Sequence, residues 1–291
     1  MTSLPRACAA VAIALIACSA MPATAASDTP AGTVLLVTGR ATAGNLDTTG
    51  VRELKKDDPV FAGEVISSSA NTYVNLRFSD GAFMLLRPNT RFVIEAYTDN
   101  TGGAEPAPAA PATPTPTPQP TSAAAPSPTP KPTPLITATR SQSPSQSFFR
   151  LLKGGFRTIS GLIGKRDPDE YRVATPVATI GIRGTDYLAV QCDTTCAQDP
   201  VIRSSLAGNG DSAIGGTVVG VIAGSVAVQG QICPEEYSRQ HPDACQEHGL
   251  ETVLKPSEYL IALRDGQQVR LPSSPHFLTV DPFPNPAGLC Q

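Results

Sequence analysis

The chain has 291 residues, of which 22 are Lys or Arg and 25 are Asp or Glu, and its formal net charge at pH 7 is −3. Because this charge is small, negative and spread along the sequence, we expect no nucleic-acid partner. Tryptophan is absent and only 5% of the residues are aromatic, which weakens the case for an aromatic platform that stacks sugar rings.

Residues 1–26 are typical of a secretory signal peptide. Arg6 supplies a positive charge, an alanine-rich apolar run covers residues 7–20, and small residues follow. We predict cleavage near Ala25 or Ala26 and a periplasmic or secreted mature protein. Neither this run nor any later stretch reaches the roughly 20 apolar residues that a transmembrane helix needs.

Residues 15–18, Leu-Ile-Ala-Cys, also match a bacterial lipobox. In that alternative Cys18 is acylated and becomes the new N-terminus, so that the protein contacts a membrane only through this anchor. A single lipid chain binds a membrane marginally, so stable anchoring requires the several chains of a bacterial lipoprotein.

Residues 30–100 predict the first part of a β domain. Apolar and polar side chains alternate, as at Val74, Leu76 and Phe78, and this period of two indicates strands with one buried face. Turn signals separate the runs at intervals of about ten residues. One of these signals, Asp80-Gly81, is interpreted as a plain turn.

Residues 101–147 are dominated by Pro, Ala, Thr and Ser. Such a composition cannot bury a core and predicts a disordered, proline-rich segment. It either holds two pieces of the protein apart or loops out of one domain, and a passive spacer is preferred to a docking site for a proline-binding partner.

Residues 148–285 predict the second part of the β domain, because β-branched residues dominate runs such as 173–182 and 217–229. No long helix is predicted after the signal peptide. The spacing of the turns predicts an all-β fold, either a parallel β-solenoid or β-roll of short strands or, as the alternative, a two-sheet β-sandwich.

Residues 173–187 read VATPVATIGIRGTDY. This segment resembles the hallmark of the FecR-domain family, in which a Thr-Pro pair precedes a Gly-x-Arg-Gly-Thr turn. The matching positions are Thr175, Pro176, Gly181, Arg183, Gly184 and Thr185. Shorter similarities lie at residues 63–67, 78–83, 223–228 and 254–259.

The family is named for the periplasmic sensory part of ferric-citrate-type regulators. The resemblance therefore implies a non-enzymatic binding, sensory or assembly module of the bacterial cell envelope, whose partner is an envelope protein or peptidoglycan. Those regulators carry a cytoplasmic anti-sigma domain and a transmembrane helix before the domain, whereas here the predicted signal peptide leads directly into it. Direct transcriptional control is not expected. The alternative is a signalling accessory that relays a cue to a separate membrane regulator.

The motif residues also have purely structural interpretations. Gly181 and Gly184 permit positive φ or close backbone approach, and Pro176 suits a turn or a strand edge. Arg183 either anchors the turn through carbonyl or carboxylate acceptors, which is preferred, or holds a ligand anion.

Export implies an oxidising compartment for the cysteines that remain in the mature chain. Two local disulfides are predicted, although four cysteines permit three connectivities. The four cysteines are Cys192, Cys196, Cys233 and Cys245, on two long surface loops at 192–216 and 231–249. Cys290 is then free or forms an intermolecular bond. A zinc site that joins Cys233 and Cys245 to His241 and His248 is the alternative.

No nucleophile elbow, zinc-protease motif, phosphate loop or dinucleotide fingerprint is present, and only three histidines occur. We therefore expect neither an enzyme nor a cofactor or metal. A basic run is interpreted either as a solvated surface or as a contact for lipid headgroups or peptidoglycan carboxylates. It comprises Arg140, Arg150, Lys153, Arg157, Lys165, Arg166 and Arg172.

Overall fold

The structure is a computed structural model that describes residues 29–45, 50–100, 144–231 and 251–278. The strands before the proline-rich segment are β1 (Gly32–Val37), β2 (Ala41–Asn45), β3 (Val51–Glu53), β4 (Pro59–Val60), β5 (Glu64–Ser68), β6 (Val74–Phe78), β7 (Phe83–Leu86) and β8 (Arg91–Thr98). Those after it are β9 (Gln146–Lys153), β10 (Gly155–Ile159), β11 (Tyr171–Ala174), β12 (Ala178–Gln191), β13 (Thr217–Gly230), β14 (Glu251–Leu254), β15 (Tyr259–Ala262) and β16 (Gln268–Leu271). The described helices are short: α1 (Leu162–Arg166), α2 (Thr194–Ala197) and α3 (Pro200–Ser205), with 3-10 turns at Pro168–Glu170 and Gly210–Ala213. The all-β prediction is confirmed.

The strands follow the period-two rule on which that prediction rests. In β9, for example, Ser147, Phe149 and Leu151 are buried, whereas Phe148 and Arg150 are partly exposed. Successive side chains of a strand point to opposite faces, so one face of β9 packs on the core and the other meets solvent.

The sixteen described strands form one sheet. Its main path is β3-β2-β5-β8-β9-β11-β12-β10-β7-β6-β1-β4, while β13 pairs with β12, β14 and β15, and β16 pairs with β15. Among the described strand pairs, β9 with β11 is parallel and the others are antiparallel. Within the confirmed all-β class, the parallel solenoid was therefore wrong, because strands joined by short turns become antiparallel neighbours. The sandwich of two separate sheets was also wrong.

The sheet curls because β12 joins its two arms. One arm is β3-β2-β5-β8-β9-β11, and the other is β10-β7-β6-β1-β4. The first half of β12 pairs with β11, and its second half pairs with β10. The inner faces of the arms meet in one core, where the ring centroids of Phe78 and Phe149 lie 5.1 Å apart and those of Phe92 and Phe156 lie 5.7 Å apart. Burying each such ring contributes about 1.5–3 kcal/mol, so these two aromatic contacts stabilise the packing of one arm against the other.

The long hairpin of β12 and β13 bends at a glycine corner. Gly184 and Gly224 have φ of +61° and +79°, and the pairing register shifts between Arg183 and Asp186. A Cβ at Gly224 would lie 2.3 Å from the carbonyl oxygen of Gly184. Only glycine fits this close approach, and the corner divides the hairpin into a first and a second half.

A second core lies on the outer face of the second half of the hairpin. It is formed by side chains from β12, β13, β15 and β16 together with the segment 192–213, which carries α2 and α3. Its buried members are Leu188, Cys192, Cys196, Ile202, Ala213, Val218, Ile261, Leu263, Leu271 and Leu278. The predicted surface loop at 192–216 is thus a packed cover rather than a free loop.

The proline-rich segment connects two neighbouring strands. β8 pairs with β9 as far as Thr98 and Gln146, and the backbone N–H of Asn100 donates to Ser145 Oγ at 2.9 Å. The chain therefore leaves and re-enters the sheet at adjacent strand ends, and the strands on both sides of the segment belong to one sheet. β9 begins at Gln146, inside the range predicted for the segment. The predicted disorder and the signal peptide with Cys18 lie outside the described residues.

Candidate functional site

The Thr-Pro part of the motif closes the turn between β11 and β12. Thr175 is buried, and its Oγ1 donates to the carbonyl oxygen of Ala178 at 2.9 Å and accepts from the Ala178 N–H at 3.0 Å. The hydroxyl of Thr217 donates to the same Oγ1 at 3.0 Å. Pro176 lies in this turn, as its backbone restriction predicts. The pair therefore shapes the turn and its attachment to β13.

The Gly-x-Arg-Gly-Thr part lies further along β12. Gly184 takes the predicted positive φ, but Gly181 does not, and a Cβ at Gly181 would have no heavy atom within 4 Å. Thr185 is buried, and its N–H donates to Ser160 Oγ at 2.8 Å. Gly181 is therefore required neither by backbone conformation nor by close packing.

Arg183 does not have the anchoring role that was preferred for it. Its side chain is exposed, and across the described part of the chain it makes no hydrogen bond or ion pair. The motif arginine therefore remains available to a ligand anion, the other interpretation of this residue.

A groove of about 890 Å³ lies at the end of the second half of the hairpin. The turns that join β7 to β8, β9 to β10 and β11 to β12 contribute to its lining, which includes Pro88, Lys153 and Pro176. Cys196 of the cover and Phe277 near the end of the described chain also line it. The structure thus brings Pro176 of the motif and the first two cysteines to one site, whereas Gly181, Arg183 and Thr185 lie elsewhere.

A disulfide joins Cys192 to Cys196, whose Cα atoms are 5.1 Å apart, in the local pairing predicted for these two cysteines. Asp193 caps α2 by accepting from the N–H of Cys196 at 3.0 Å. Asp199 caps α3 by accepting from the N–H of Val201 at 2.8 Å. These contacts give the groove a fixed wall.

The remaining cysteine predictions cannot be placed, since Cys233, Cys245 and Cys290 lie outside the described residues. The two histidines of the alternative zinc site, His241 and His248, do so as well. Among the residues that the structure describes, no group of three or more His, Cys, Asp or Glu side chains has the arrangement of a metal site.

The groove carries charges of both signs. Arg87, Lys153 and Arg264 line it together with Asp193 and Asp265. Arg87 is held in place because its Nη2 donates to the carbonyl oxygen of Phe277 at 3.1 Å. Cations exceed carboxylates by one along this lining, so the groove favours a ligand with acidic groups.

The predicted basic run does not form one patch. Arg157 makes a two-point ion pair with Asp186 at 3.0 and 2.7 Å, and Arg150 pairs with Glu95. Lys153 lies at the groove. The run is therefore divided, because Lys153 lines the groove whereas Lys165 lies beside Gly184. Arg140 lies outside the described ranges.

A buried carboxylate ties the arms to α1. Asp80 Oδ1 accepts from the Ala82 N–H at 3.1 Å and from the Tyr97 hydroxyl at 3.0 Å, and its Oδ2 accepts from the Ile163 N–H at 3.2 Å. Burial raises the pKa of Asp80 above its ordinary value. The predicted turn is present, with Gly81 at φ +83°, but the sequence contains no signal for the contact with α1.

Burial also raises the pKa values of three tyrosine hydroxyls, those of Tyr97, Tyr171 and Tyr187. The hydroxyls of Tyr171 and Tyr187 lie 3.2 Å apart within the core. All three groups therefore stay neutral at physiological pH and serve packing and hydrogen bonding.

Comparisons with known proteins found no matching family model and no matching curated protein. Two solved structures of a "putative anti-sigma factor" from Parabacteroides distasonis are similar, with TM-scores of 0.36 and 0.35 and sequence identities of 13% and 14%. Each similarity covers 71% of this chain and 58% of the other. The chain thus spans less than two thirds of that protein, and similarity at this level carries no argument about function.

No helix in the described ranges is both long enough and apolar enough to cross a membrane.

Proposed function

We propose that the chain is an exported, non-enzymatic binding module of the bacterial cell envelope, of the FecR-domain type. In this proposal the groove binds an extended, acidic peptide segment of an envelope protein. The predicted signal peptide and the Cys192–Cys196 disulfide both fit an oxidising compartment. The motif similarity in β12 supports the family assignment.

The observation that carries the proposal is the rigid, mixed lining of the groove. The lining combines apolar surface from Pro88, Pro176 and Phe277 with the exposed cations Lys153 and Arg264. Such a lining suits a peptide with apolar side chains between acidic ones, because burial supplies affinity and the cations supply orientation.

Hydrogen bonds within the protein hold part of the groove lining in place. Gly155 donates its N–H to Thr90 Oγ1 at 3.0 Å, and the Thr90 hydroxyl donates to the carbonyl oxygen of Gly155 at 2.9 Å. A Cβ at Gly154 would lie 2.4 Å from Thr90 Oγ1. A preformed site loses little conformational entropy on binding, which favours recognition of a partner.

The chemistry of the groove favours binding over catalysis. Its described lining contains no histidine or serine, and its two cysteines are joined in a disulfide. A disulfide-bonded cysteine supplies no thiolate nucleophile.

Site-specific photo-crosslinking in intact cells tests the proposal. A crosslinking residue at Thr195, which is exposed at the groove, should capture one envelope protein, whereas the same residue at the exposed Lys56, which does not line the groove, should not. The double variant Lys153→Glu and Arg264→Glu should abolish the Thr195 adduct, and the matched variant Lys56→Glu should leave it unchanged. Equal adducts from both positions, or an adduct that survives the double variant, would exclude the groove as the binding site.

A further inference from the structure

The face of interest is the outer side of β9, β11 and the first half of β12 with its partner strand β13. Gly181 lies at its centre, paired in register with Arg172 on β11 and with Ala227 on β13. The neighbouring residues Ile180 and Ile182 point inward and are buried in the main core. Gly181 and Arg183 therefore share the opposite, solvent side of β12.

Two arginines flank Gly181 on this face. Arg172 lies directly opposite Gly181, and Arg183 lies two residues further along β12. The backbone positions of the two arginines are therefore diagonal neighbours, about 7–8 Å apart. Both side chains are exposed, and across the described ranges neither pairs with a carboxylate. Glu170, which immediately precedes β11, forms no ion pair with either. Like charges on adjacent strands repel, so this arrangement is not explained by stability of the sheet.

The arginine of β11 is held in a defined direction. Its Cζ lies 4.1 Å from the ring centroid of Phe148, its register partner on β9. This stacking uses one face of the guanidinium and leaves its N–H groups free to donate. Arg172 therefore presents a preformed fork for a planar anion.

Gly181 leaves open the space above its own backbone, beside Arg172 on β11 and Arg183 on β12. A Cβ there would meet no heavy atom within 4 Å, and its φ is not positive. A side chain is thus permitted by the backbone and by the packing, yet none is present. An anionic group can therefore approach the strand at this position, next to the strand positions of Arg172 and Arg183.

We propose that Arg172 and Arg183 bind the carboxylates of peptidoglycan stem peptides over the open position of Gly181. A carboxylate matches the planar fork of arginine in two-point geometry. Two forks a short distance apart suit a polymer that presents carboxylates repeatedly. The groove residues are not part of this face, so the module has one contact for the cell wall and another for a protein.

Gly181→Val gives the sharpest test, because valine is favoured in strands and has room at this position. This variant should unfold at an unchanged or higher temperature, yet its affinity for purified sacculi should fall by about tenfold or more as the space fills. Arg183→Gln should weaken sedimentation with sacculi by a similar factor. Lys56→Gln, which removes the same charge from a distant exposed site, should bind like the wild type.

The ligand group is tested with sacculi whose carboxylates have been converted to amides. Wild-type protein should sediment with native sacculi and remain in solution with amidated ones. Unchanged binding to amidated sacculi would identify wall phosphate or sugar as the ligand and overturn the proposal. It would equally be overturned if the wild type failed to sediment, or if Gly181→Val and Arg183→Gln bound normally.

The two proposals have separate readouts. If sacculi bound no wild-type protein, the proposal for this face would fail, whereas the Thr195 adduct would still report on the groove. Because the groove and the face share no residues, loss of one activity with retention of the other separates the two proposals.

Discussion

The two halves of the β12–β13 hairpin share one core but differ in what lies over their outer faces. In the first half, the outward positions of β12 are Thr179, Gly181 and Arg183, all at least partly exposed. In the second half, Leu188 packs outward against the cover formed by α2, α3 and the disulfide. The first half of the hairpin is thus buried on one face, whereas the second half, beyond the glycine corner, is buried on both faces.

The difference shows how the covering segment determines which positions can carry function. Outward residues of the second half must be apolar or, like Asp186 with Arg157, paired, because burial of an unpaired polar group is unfavourable. Outward residues of the first half are free of this requirement, since they contact solvent. Arg183 therefore lies on the part of the hairpin where an unpaired charge is compatible with the fold.

The largest effect is expected from placing a charge under the cover. Leu188 is 3% exposed, so Leu188→Lys should lower the free energy of unfolding by about 3–5 kcal/mol through an unpaired buried charge. The matched change on the open face, Ala227→Lys, should alter it by less than about 0.5 kcal/mol. Chemical denaturation of the two variants measures the contrast. Similar losses for both would show that the two outer faces do not differ in burial.

The glycine corner should be the next most sensitive feature. Gly224→Ala should lower the free energy of unfolding by about 3 kcal/mol, because the positive φ and the Gly184 carbonyl oxygen both exclude a Cβ. Gly181→Ala on the open half should leave stability unchanged or slightly higher. Urea denaturation followed by circular dichroism distinguishes them, and a stable Gly224→Ala variant would argue against the corner.

Removal of the disulfide should affect the covered half selectively. The double variant Cys192→Ala and Cys196→Ala should lower the free energy of unfolding by about 2 kcal/mol, as expected for closure of so short a loop. Amide hydrogen exchange should accelerate at Val218 and Val219 more than at Val226 and Val228. Uniform acceleration along β13 would mean that the cover stabilises both halves equally.

The smallest effect concerns α1, which packs beside the first half of the hairpin and whose Ile163 N–H donates to Asp80. The folded-state pKa of Asp80 is raised above 3.8. Between pH 3.8 and the folded-state pKa, the folded protein therefore binds more protons than the unfolded chain. Its contribution to the unfolding free energy is therefore greatest below about pH 4 and is lost as the pH rises through the folded-state pKa. In Asp80→Asn, which also loses the Ile163 contact, this slope should disappear. Parallel slopes in denaturation curves of the two proteins would show that Asp80 does not titrate in this interval.

Local features of the fold were predictable because they depend on neighbouring residues. The alternation of Val74, Leu76 and Phe78 predicts a strand with a buried face, and β6 covers the same residues, all three of them buried. The turn chemistry of Gly81 and the short spacing of Cys192 and Cys196 likewise correspond to a turn and a disulfide in the structure.

The site was less accessible to prediction. Arg183 was identified as a candidate, and within the described ranges its exposed side chain makes no hydrogen bond of the kind that the preferred anchoring role requires. Arg172 appeared as one member of a basic run, without any sign that it stacks on Phe148 and faces Gly181. The groove was missed entirely, since its walls come from turns that lie far apart in the sequence.

The all-β class, the approximate strands and the positions of the turns follow from local sequence patterns. Which strands are neighbours, where the sheet curls and which half of the hairpin is covered became known from the three-dimensional structure. The physical reason is that side-chain alternation and turn preference act over a few residues, whereas strand pairing and burial of the second face depend on contacts between distant segments.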